Sequence, residues 1–124
     1  MNPKLSKGLR IFLGLSMFVF GLNKFVLLIE LAAPPPDAGE FYGALDATGY
    51  MITLIGLTEA AVGLMLLLNR WSNFALLLLA PVSVNIVLFH VFLDPMGGFA
   101  GFLLAVINIA LIWDRWDTYK VLFN

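Results

Sequence analysis

The sequence predicts an all-α integral membrane protein, a four-helix bundle with a short interfacial helix between spans one and two. Its 124 residues are 61% hydrophobic and 12% charged, whereas soluble domains carry about a quarter charged residues. A chain this short cannot hide so much apolar surface in a soluble core. Lys and Arg also collect at one end of the predicted bundle, as they do in membrane proteins. Residues 1–124 are therefore expected to form a single transmembrane domain.

Four apolar stretches come close to the roughly 20 residues that cross a bilayer. The predicted spans cover residues 8–31, 50–68, 74–93 and 99–113. The proline run 34–36 cannot continue a helix, and it separates the first span from a short helix predicted over residues 38–47. Aromatic residues give that helix an apolar side, which favours a position at the membrane interface. Polar turns at 69–73 and 94–98 separate the remaining spans.

The charged residues give the bundle a basic end and an acidic end. At the basic end lie Lys4, Lys7, Arg10, Arg70, Arg115 and Lys120. At the acidic end lie Glu30, Asp37, Glu40, Asp46 and Asp94, and the loops there contain no Lys or Arg. Because positively charged loops remain in the cytoplasm, both the N-terminus and the C-terminus are predicted to be cytoplasmic.

Composition also excludes several kinds of site. The net charge of −1 argues against nucleic-acid binding, which needs a basic surface to neutralise phosphates. The chain has no cysteine, which excludes disulfides, thiolate nucleophiles and iron–sulfur ligation by its own residues. No metal site is expected, since the chain has a single histidine, His90, and no H-x-x-E or E-x-x-H spacing. The lipid bilayer is the partner that composition predicts.

Ionisable residues inside the predicted spans are functional candidates, because lipid penalises polar side chains. Lys24 lies in span one, Glu59 in span two and His90 in span three. All three are expected in the acidic half of the bundle, with Glu59 deepest at about 13 Å from the span boundary. Glu59 and His90 are candidates for a proton relay. The candidate ligand-binding residues are Asn23, Lys24, Glu59, Asn85, His90 and Asp94.

Helical phase indicates which side chains face the bundle interior. Lys24 shares a stripe with glycines of span one, and Glu59 shares a stripe with glycines of span two. Small residues let helices approach closely, so these stripes and the one containing Asn108 are expected to line the interior. Lys24 and Glu59 then form either a structural ion pair or part of a binding site, and the sequence leaves both alternatives open.

Span three places its polar residues on different faces. His90 and Asp94 are four residues apart and share a face, whereas Asn85 lies about 140° around the helix from His90. We expect His90 to face the polar pocket and Asn85 to bond to an adjacent helix. The alternative for His90 is a simple pairing with Asp94. Asn85 and Asn108 are more typical of contacts between helices than of ligand contacts.

Three short motifs carry a resemblance to a known family. They are Gly21-Leu22-Asn23-Lys24-Phe25, then Thr58-Glu59 with Gly63, and then Asn85-Ile86-Val87-Leu88-Phe89-His90 through Asp94-Pro95. In their order and spacing the motifs resemble the DoxX family of small bacterial membrane proteins, specifically its DoxX-like branch. The resemblance implies a four-helix bundle in the bacterial plasma (inner) membrane, with Lys24, Glu59 and His90 at the family's polar positions.

The resemblance also implies an association with membrane redox systems, such as the quinone-reducing subunit of thiosulfate oxidation. The first hypothesis is therefore a redox-associated subunit that binds a quinone, with membrane-associated redox enzymes as partners and a homo-oligomer as one possible assembly. A second hypothesis is a carrier for a small molecule or proton, and a third is a non-catalytic scaffold for partner enzymes. The sequence does not decide whether the protein is an enzyme.

Overall fold

The computed structural model describes residues 1–124 as a helical bundle without strands. Its helices are α1 (Pro3–Asn23), α2 (Pro36–Ala47), α3 (Met51–Leu68), α4 (Ser72–Leu93), α5 (Phe99–Asp114) and the short α6 (Trp116–Tyr119). Two 3₁₀ turns, Pro95–Gly97 and Lys120–Phe123, follow α4 and α6. The predicted all-α membrane bundle is confirmed, and so is the short helix between the first two spans.

The four long helices form a closed ring. α1 packs mainly on α3 and α4 packs mainly on α5, while α3 against α4 and α1 against α5 close the ring. Its buried core consists of Leu13, Met17, Val62, Leu66, Ala75, Leu76, Leu79, Leu104, Ile107 and Leu111. Most of the other large apolar side chains point outward, as expected for a bundle whose solvent is lipid.

Glycines bring α1 and α3 into backbone contact. A Cβ added at Gly21 would lie 2.8 Å from the carbonyl oxygen of Gly56. A Cβ added at Gly63 would lie 2.6 Å from the carbonyl oxygen of Gly14. Only glycine permits such an approach. The prediction that these stripes face a neighbouring helix is confirmed.

Helix length distinguishes α5 from the others. α1, α3 and α4 are each long and apolar enough to cross a membrane. α5 has 16 residues, so it extends about 24 Å against a hydrocarbon thickness of roughly 30 Å. A fourth crossing therefore needs the Trp116–Phe123 segment as well, which follows α5 after a 71° bend.

The start of α1 and the end of α5 lie at the same end of the bundle. Ser6 Oγ donates a hydrogen bond to Asp114 Oδ2 over 3.1 Å. The Tyr119 hydroxyl, just beyond α5, donates to the carbonyl of Asn73 at 2.5 Å, near the start of α4. Arg10 is buried at this basic end, where its guanidinium donates to the carbonyl of Leu66 near the end of α3.

The predicted first span, residues 8–31, is wrong at its second boundary. The helix ends at Asn23, and residues 24–35 form a non-helical strap that leads to α2. The cause is the Asn23 side chain, whose Oδ1 accepts hydrogen bonds from the backbone N–H groups of Leu28 and Ile29 at 2.7 and 2.8 Å. A continued helix would have bonded those N–H groups to backbone carbonyls, so the side chain competes directly with the helix.

A buried polar contact joins α4 to α5. Asn108 is fully buried; its Oδ1 accepts from Ser83 Oγ at 2.8 Å, and its Nδ2 donates to the carbonyl of Leu76 at 3.1 Å. The interpretation of Asn108 as a contact between helices is confirmed.

Candidate functional site

An ion pair lies at the base of the acidic half. Lys24 Nζ is 3.0 Å from Glu59 Oε2, with side-chain exposures of 20% and 6%. Lys24 reaches Glu59 because α1 ends at Asn23 and because Gly56 leaves room beside it. A Cβ at Gly56 would lie 3.1 Å from the Cβ of Lys24 and 2.9 Å from the Phe25 ring. Lys24 retains two ammonium hydrogens beyond the one it donates to Glu59.

His90 is held from one side. Its Nδ1 lies 3.2 Å from the carbonyl oxygen of Asp94 and 3.9 Å from Asp94 Oδ2. The opposite ring nitrogen, Nε2, has no hydrogen-bond partner in the protein, and it is not sealed away from solvent. With Nδ1–H directed at the carbonyl, Nε2 is an acceptor in the neutral ring and a donor in the protonated ring. His90 can therefore form a hydrogen bond at Nε2 while Nδ1 keeps its contact with Asp94.

Two phenylalanine rings pack against the ring of His90, and a glycine leaves room for it. Phe89 meets it edge-on with centroids 5.1 Å apart, and Phe102 of α5 lies 6.0 Å away. Gly101 provides the space on α5, since a Cβ there would lie 2.9 Å from His90 Cδ2. Phe41 of α2 packs on Phe89 with ring centroids 5.9 Å apart, which ties α2 to α4.

One cavity joins the ion pair to His90. This acidic-end cavity has a volume of about 790 Å³. Its polar side chains are Lys24, Glu59, His90 and Asp94, and its large apolar ones are Met17, Phe20, Leu31, Ile86, Met96 and Leu104. It therefore combines an apolar wall with a small number of charged or titratable groups, which is typical of a small-molecule site.

The structure brings together four of the six candidate ligand-binding residues. Lys24, Glu59, His90 and Asp94 line the acidic-end cavity, and Asp94 Oδ1 also accepts from the N–H of Gly97 at 3.1 Å. Asn23 does not line it, because its amide oxygen is used to hold the strap.

Asn85 also lies outside the cavity, on the exposed face of α4. The expectation that it bonds to an adjacent helix is wrong for the single chain, since its Nδ2 donates to the carbonyl of Pro81 on its own helix at 3.0 Å. Helical phase explains the separation, because residues five apart point about 140° away from each other.

Sequence reasoning missed the contribution of the strap. Its residues 31–35 form part of the cavity wall, although the sequence placed residue 31 at the end of a span. Burial, together with the negative charges of Asp46 and Glu59, raises the pKa of the Tyr42 phenol on α2 above its usual value. No pattern in the sequence signals the strap, because it depends on hydrogen bonds that Asn23 forms only in the folded chain.

A comparison with family models shows the family of the chain. A model described as DoxX matches residues 6–91, which is more than half of the chain. The chain belongs to the DoxX family. No curated protein and no solved structure gave a significant match.

The DoxX match includes three of the four polar cavity residues, but it does not reach the wall of the cavity that α5 forms. Lys24, Glu59 and His90 fall within residues 6–91, on α1, α3 and α4. Asp94 and the α5 wall, with Gly101 and Leu104, lie beyond the matched residues. The α5 side of the cavity is therefore set by residues outside the family match.

Proposed function

We propose that this DoxX protein is a redox-associated membrane subunit that binds a quinone, or a similar apolar carbonyl compound, in the acidic-end cavity. The observation that carries the proposal is that one cavity contains both the Lys24–Glu59 ion pair and the free Nε2 of His90. A ligand seated there has hydrogen-bond donors and apolar walls within the same site.

Size and surface support this class of ligand. The volume of about 790 Å³ lies within the roughly 300–1,000 Å³ usual for small-molecule sites. Met17, Phe20 and Leu104 offer apolar contact to a ring and to the first part of a hydrocarbon tail. The charged groups would be costly in lipid without a polar occupant or water beside them.

The proposed role of the chain is to bind the ligand and supply protons. A quinone takes up two electrons and two protons to become a quinol, and the electrons come from the reduced cofactor of a membrane-associated partner enzyme. His90, when protonated, donates the proton on Nε2 to a carbonyl oxygen of the quinone. It then takes up another proton from water at the cavity mouth. Lys24 keeps two free N–H groups that can stabilise negative charge on a second oxygen. Glu59 holds Lys24 in place and is the second candidate proton carrier.

The proposed location follows from the charges at the two ends. With the basic end in the cytoplasm of a bacterial cell, both termini lie inside and the cavity opens on the outer side of the plasma membrane. Fusion of a reporter that is active on only one side of the membrane to Asn124 tests this orientation directly.

The decisive experiment is mass spectrometry of small molecules that copurify with the protein in mild detergent, followed by quinone titration of the stripped protein. Wild-type protein is expected to bind quinone, and Glu59→Gln and His90→Phe are expected to bind at least about tenfold more weakly, the loss of one charged hydrogen bond. Glu40→Gln is the matched control, since its exposed side chain lies outside the cavity.

Other outcomes separate the alternatives. The proposal fails if wild-type protein neither carries quinone nor binds it on titration. Glu59-dependent counterflow of a solute in proteoliposomes would then favour a carrier. If cells with the Lys24→Met/Glu59→Gln double variant have the same phenotype as cells with the wild-type protein, a non-catalytic scaffold is favoured.

A further inference from the structure

The outer face of α4 contains a polar side chain that the single chain does not satisfy. Of the three helices long enough to cross a membrane, α4 is the least buried. In its apolar 18-residue stretch 17% is buried, against 33% for α1 and 28% for α3. Asn85 is the one exposed polar side chain within α4, and it lies among exposed apolar residues that include Val84 and Leu88. This face is exposed in the single chain.

The amide of Asn85 has unused hydrogen-bonding capacity. One N–H donates to the carbonyl of Pro81, while Oδ1 and the second N–H have no partner in the protein. Lipid tails offer neither a donor nor an acceptor, so this capacity stays unsatisfied in a monomer surrounded by lipid. Asn85 lies eight residues before the end of α4, about 12 Å below that end of the helix, which is too deep for a short side chain to reach water.

We propose that two copies of this chain pair across the exposed face of α4, through reciprocal hydrogen bonds between their Asn85 amides. A carboxamide has both a donor and an acceptor, so two identical amides satisfy each other. Two copies inserted in the same orientation, related by a two-fold axis along the membrane normal, place both Asn85 residues at the same depth. The symmetric contact of equal patches is the commonest form of homodimer.

A groove beside Asn85 provides apolar contact for the same pairing. It has a volume of about 180 Å³ between α4 and α5, and it is lined by Ser83, Val84, Val87, Leu88, Ala105 and Ile109. An apolar side chain from α4 of the second copy fits a groove of this size. Van der Waals packing of this kind, together with hydrogen bonds between helices, drives helix association in lipid.

The pairing face is separate from the candidate functional site. None of the six groove residues lines the acidic-end cavity, and Asn85 does not line it either. A dimer formed in this way therefore leaves both cavities open, and substitutions on the α4 face test pairing without removing a cavity residue.

Cysteine crosslinking in proteoliposomes tests the proposal, because the chain has no cysteine of its own. Leu88→Cys places a thiol on the proposed face with Asn85 intact, and Leu57→Cys is the matched control, exposed to a similar extent on α3. With a short bismaleimide at low protein density, Leu88→Cys is expected to give mainly dimer and Leu57→Cys mainly monomer. Equal crosslinking of the two variants would overturn the proposal.

The amide itself is tested in the same background. Adding Asn85→Leu to Leu88→Cys is expected to weaken dimerisation by about 3- to 30-fold, the usual range for one polar contact between membrane helices. Asn85→Gln keeps a self-complementary amide and is expected to retain most of the dimer. If Asn85→Leu dimerises as strongly as the parent, with an unchanged monomer fold by circular dichroism, the Asn85 contact is refuted.

Discussion

Lys24 Nζ lies 3.0 Å from Glu59 Oε2, so the end of the first helix is tied to the middle of α3. Both side chains are largely buried, and each is the nearest charge of opposite sign to the other. We therefore expect the pair to stabilise the bundle whatever ligand the cavity holds. The contribution of the ion pair to stability can be measured separately from any activity.

Removing one member of the pair is expected to cost more stability than removing both. Glu59→Gln or Lys24→Met leaves a buried charge without its partner, which typically costs about 3–5 kcal/mol. The Lys24→Met/Glu59→Gln double variant removes both charges and is expected to recover a large part of that loss. Thermal unfolding in detergent, analysed as a double-mutant cycle, measures the coupling.

Lys120 and Asp117 provide the control pair. Their charged groups are also 3.0 Å apart, but both side chains are exposed, and exposed ion pairs contribute little. Lys120→Met is therefore expected to leave the unfolding temperature nearly unchanged. Additive effects of the Lys24 and Glu59 substitutions would contradict the ion pair.

The glycine contact between α1 and α3 gives a second prediction. Gly63→Ala inserts a methyl group against the backbone of α1, and overpacking of this kind costs about 1–3 kcal/mol or more. Gly8→Ala is the control, since nothing lies within 4 Å of the added methyl group and alanine is the better helix former. We expect a clear drop in unfolding temperature for Gly63→Ala and no drop for Gly8→Ala. Equal stability of the two variants would rule out close backbone packing there.

Asn23 is predicted to control the strap. Asn23→Ala removes the acceptor for the N–H groups of Leu28 and Ile29, so amide exchange across residues 25–33 is expected to rise about 5- to 30-fold, as for the loss of a hydrogen bond of about 1–2 kcal/mol. Asn23→Asp keeps an acceptor oxygen and should preserve protection. Hydrogen–deuterium exchange with mass spectrometry reads both, and the α3 peptides report whether the rest of the bundle is intact. Unchanged exchange in Asn23→Ala would show that other contacts hold the strap.

Filling the cavity is predicted to block the proposed ligand. Ala100→Phe directs a ring into the acidic-end cavity, which Ala100 lines, and is expected to weaken quinone binding by at least about tenfold, the cost of a steric mismatch of 1.4 kcal/mol or more. Val106→Phe makes the same kind of change on the exposed side of α5 and should bind normally. Isothermal titration or fluorescence quenching measures both. Equal affinities would place the ligand elsewhere.

The sequence was sufficient for those features that depend on periodicity. Glycine spacing predicted that α1 and α3 each turn a stripe of small residues to a neighbouring helix, and the same stripes predicted that Lys24 and Glu59 would both face the interior. The distribution of charged residues along the sequence defined a basic end and an acidic end of the bundle. These features follow from 3.6 residues per turn and from the cost of polar groups in lipid, both of which act locally along the chain.

Features that depend on specific hydrogen bonds were not predictable in this way. The end of α1 depends on which carbonyl or amide oxygen captures the N–H groups of Leu28 and Ile29, and hydropathy alone favoured a longer helix. Arg10 was assigned only to the basic end, although its guanidinium donates to the carbonyl of Leu66. That contact depends on the register of two packed helices, which composition does not specify.

The open backbone of the strap has a consequence for the membrane beside it. Non-helical backbone persists at membrane depth only where protein or water satisfies its N–H and carbonyl groups, so we expect water to reach the strap and the bilayer to be thinner next to Lys24. Under that expectation the transmembrane voltage falls mainly between Glu59 and the basic end. A proton that reached Glu59 from the strap side would then cross little of that voltage, whereas one from the basic end would cross most of it, at about 2.3 kcal/mol per 100 mV.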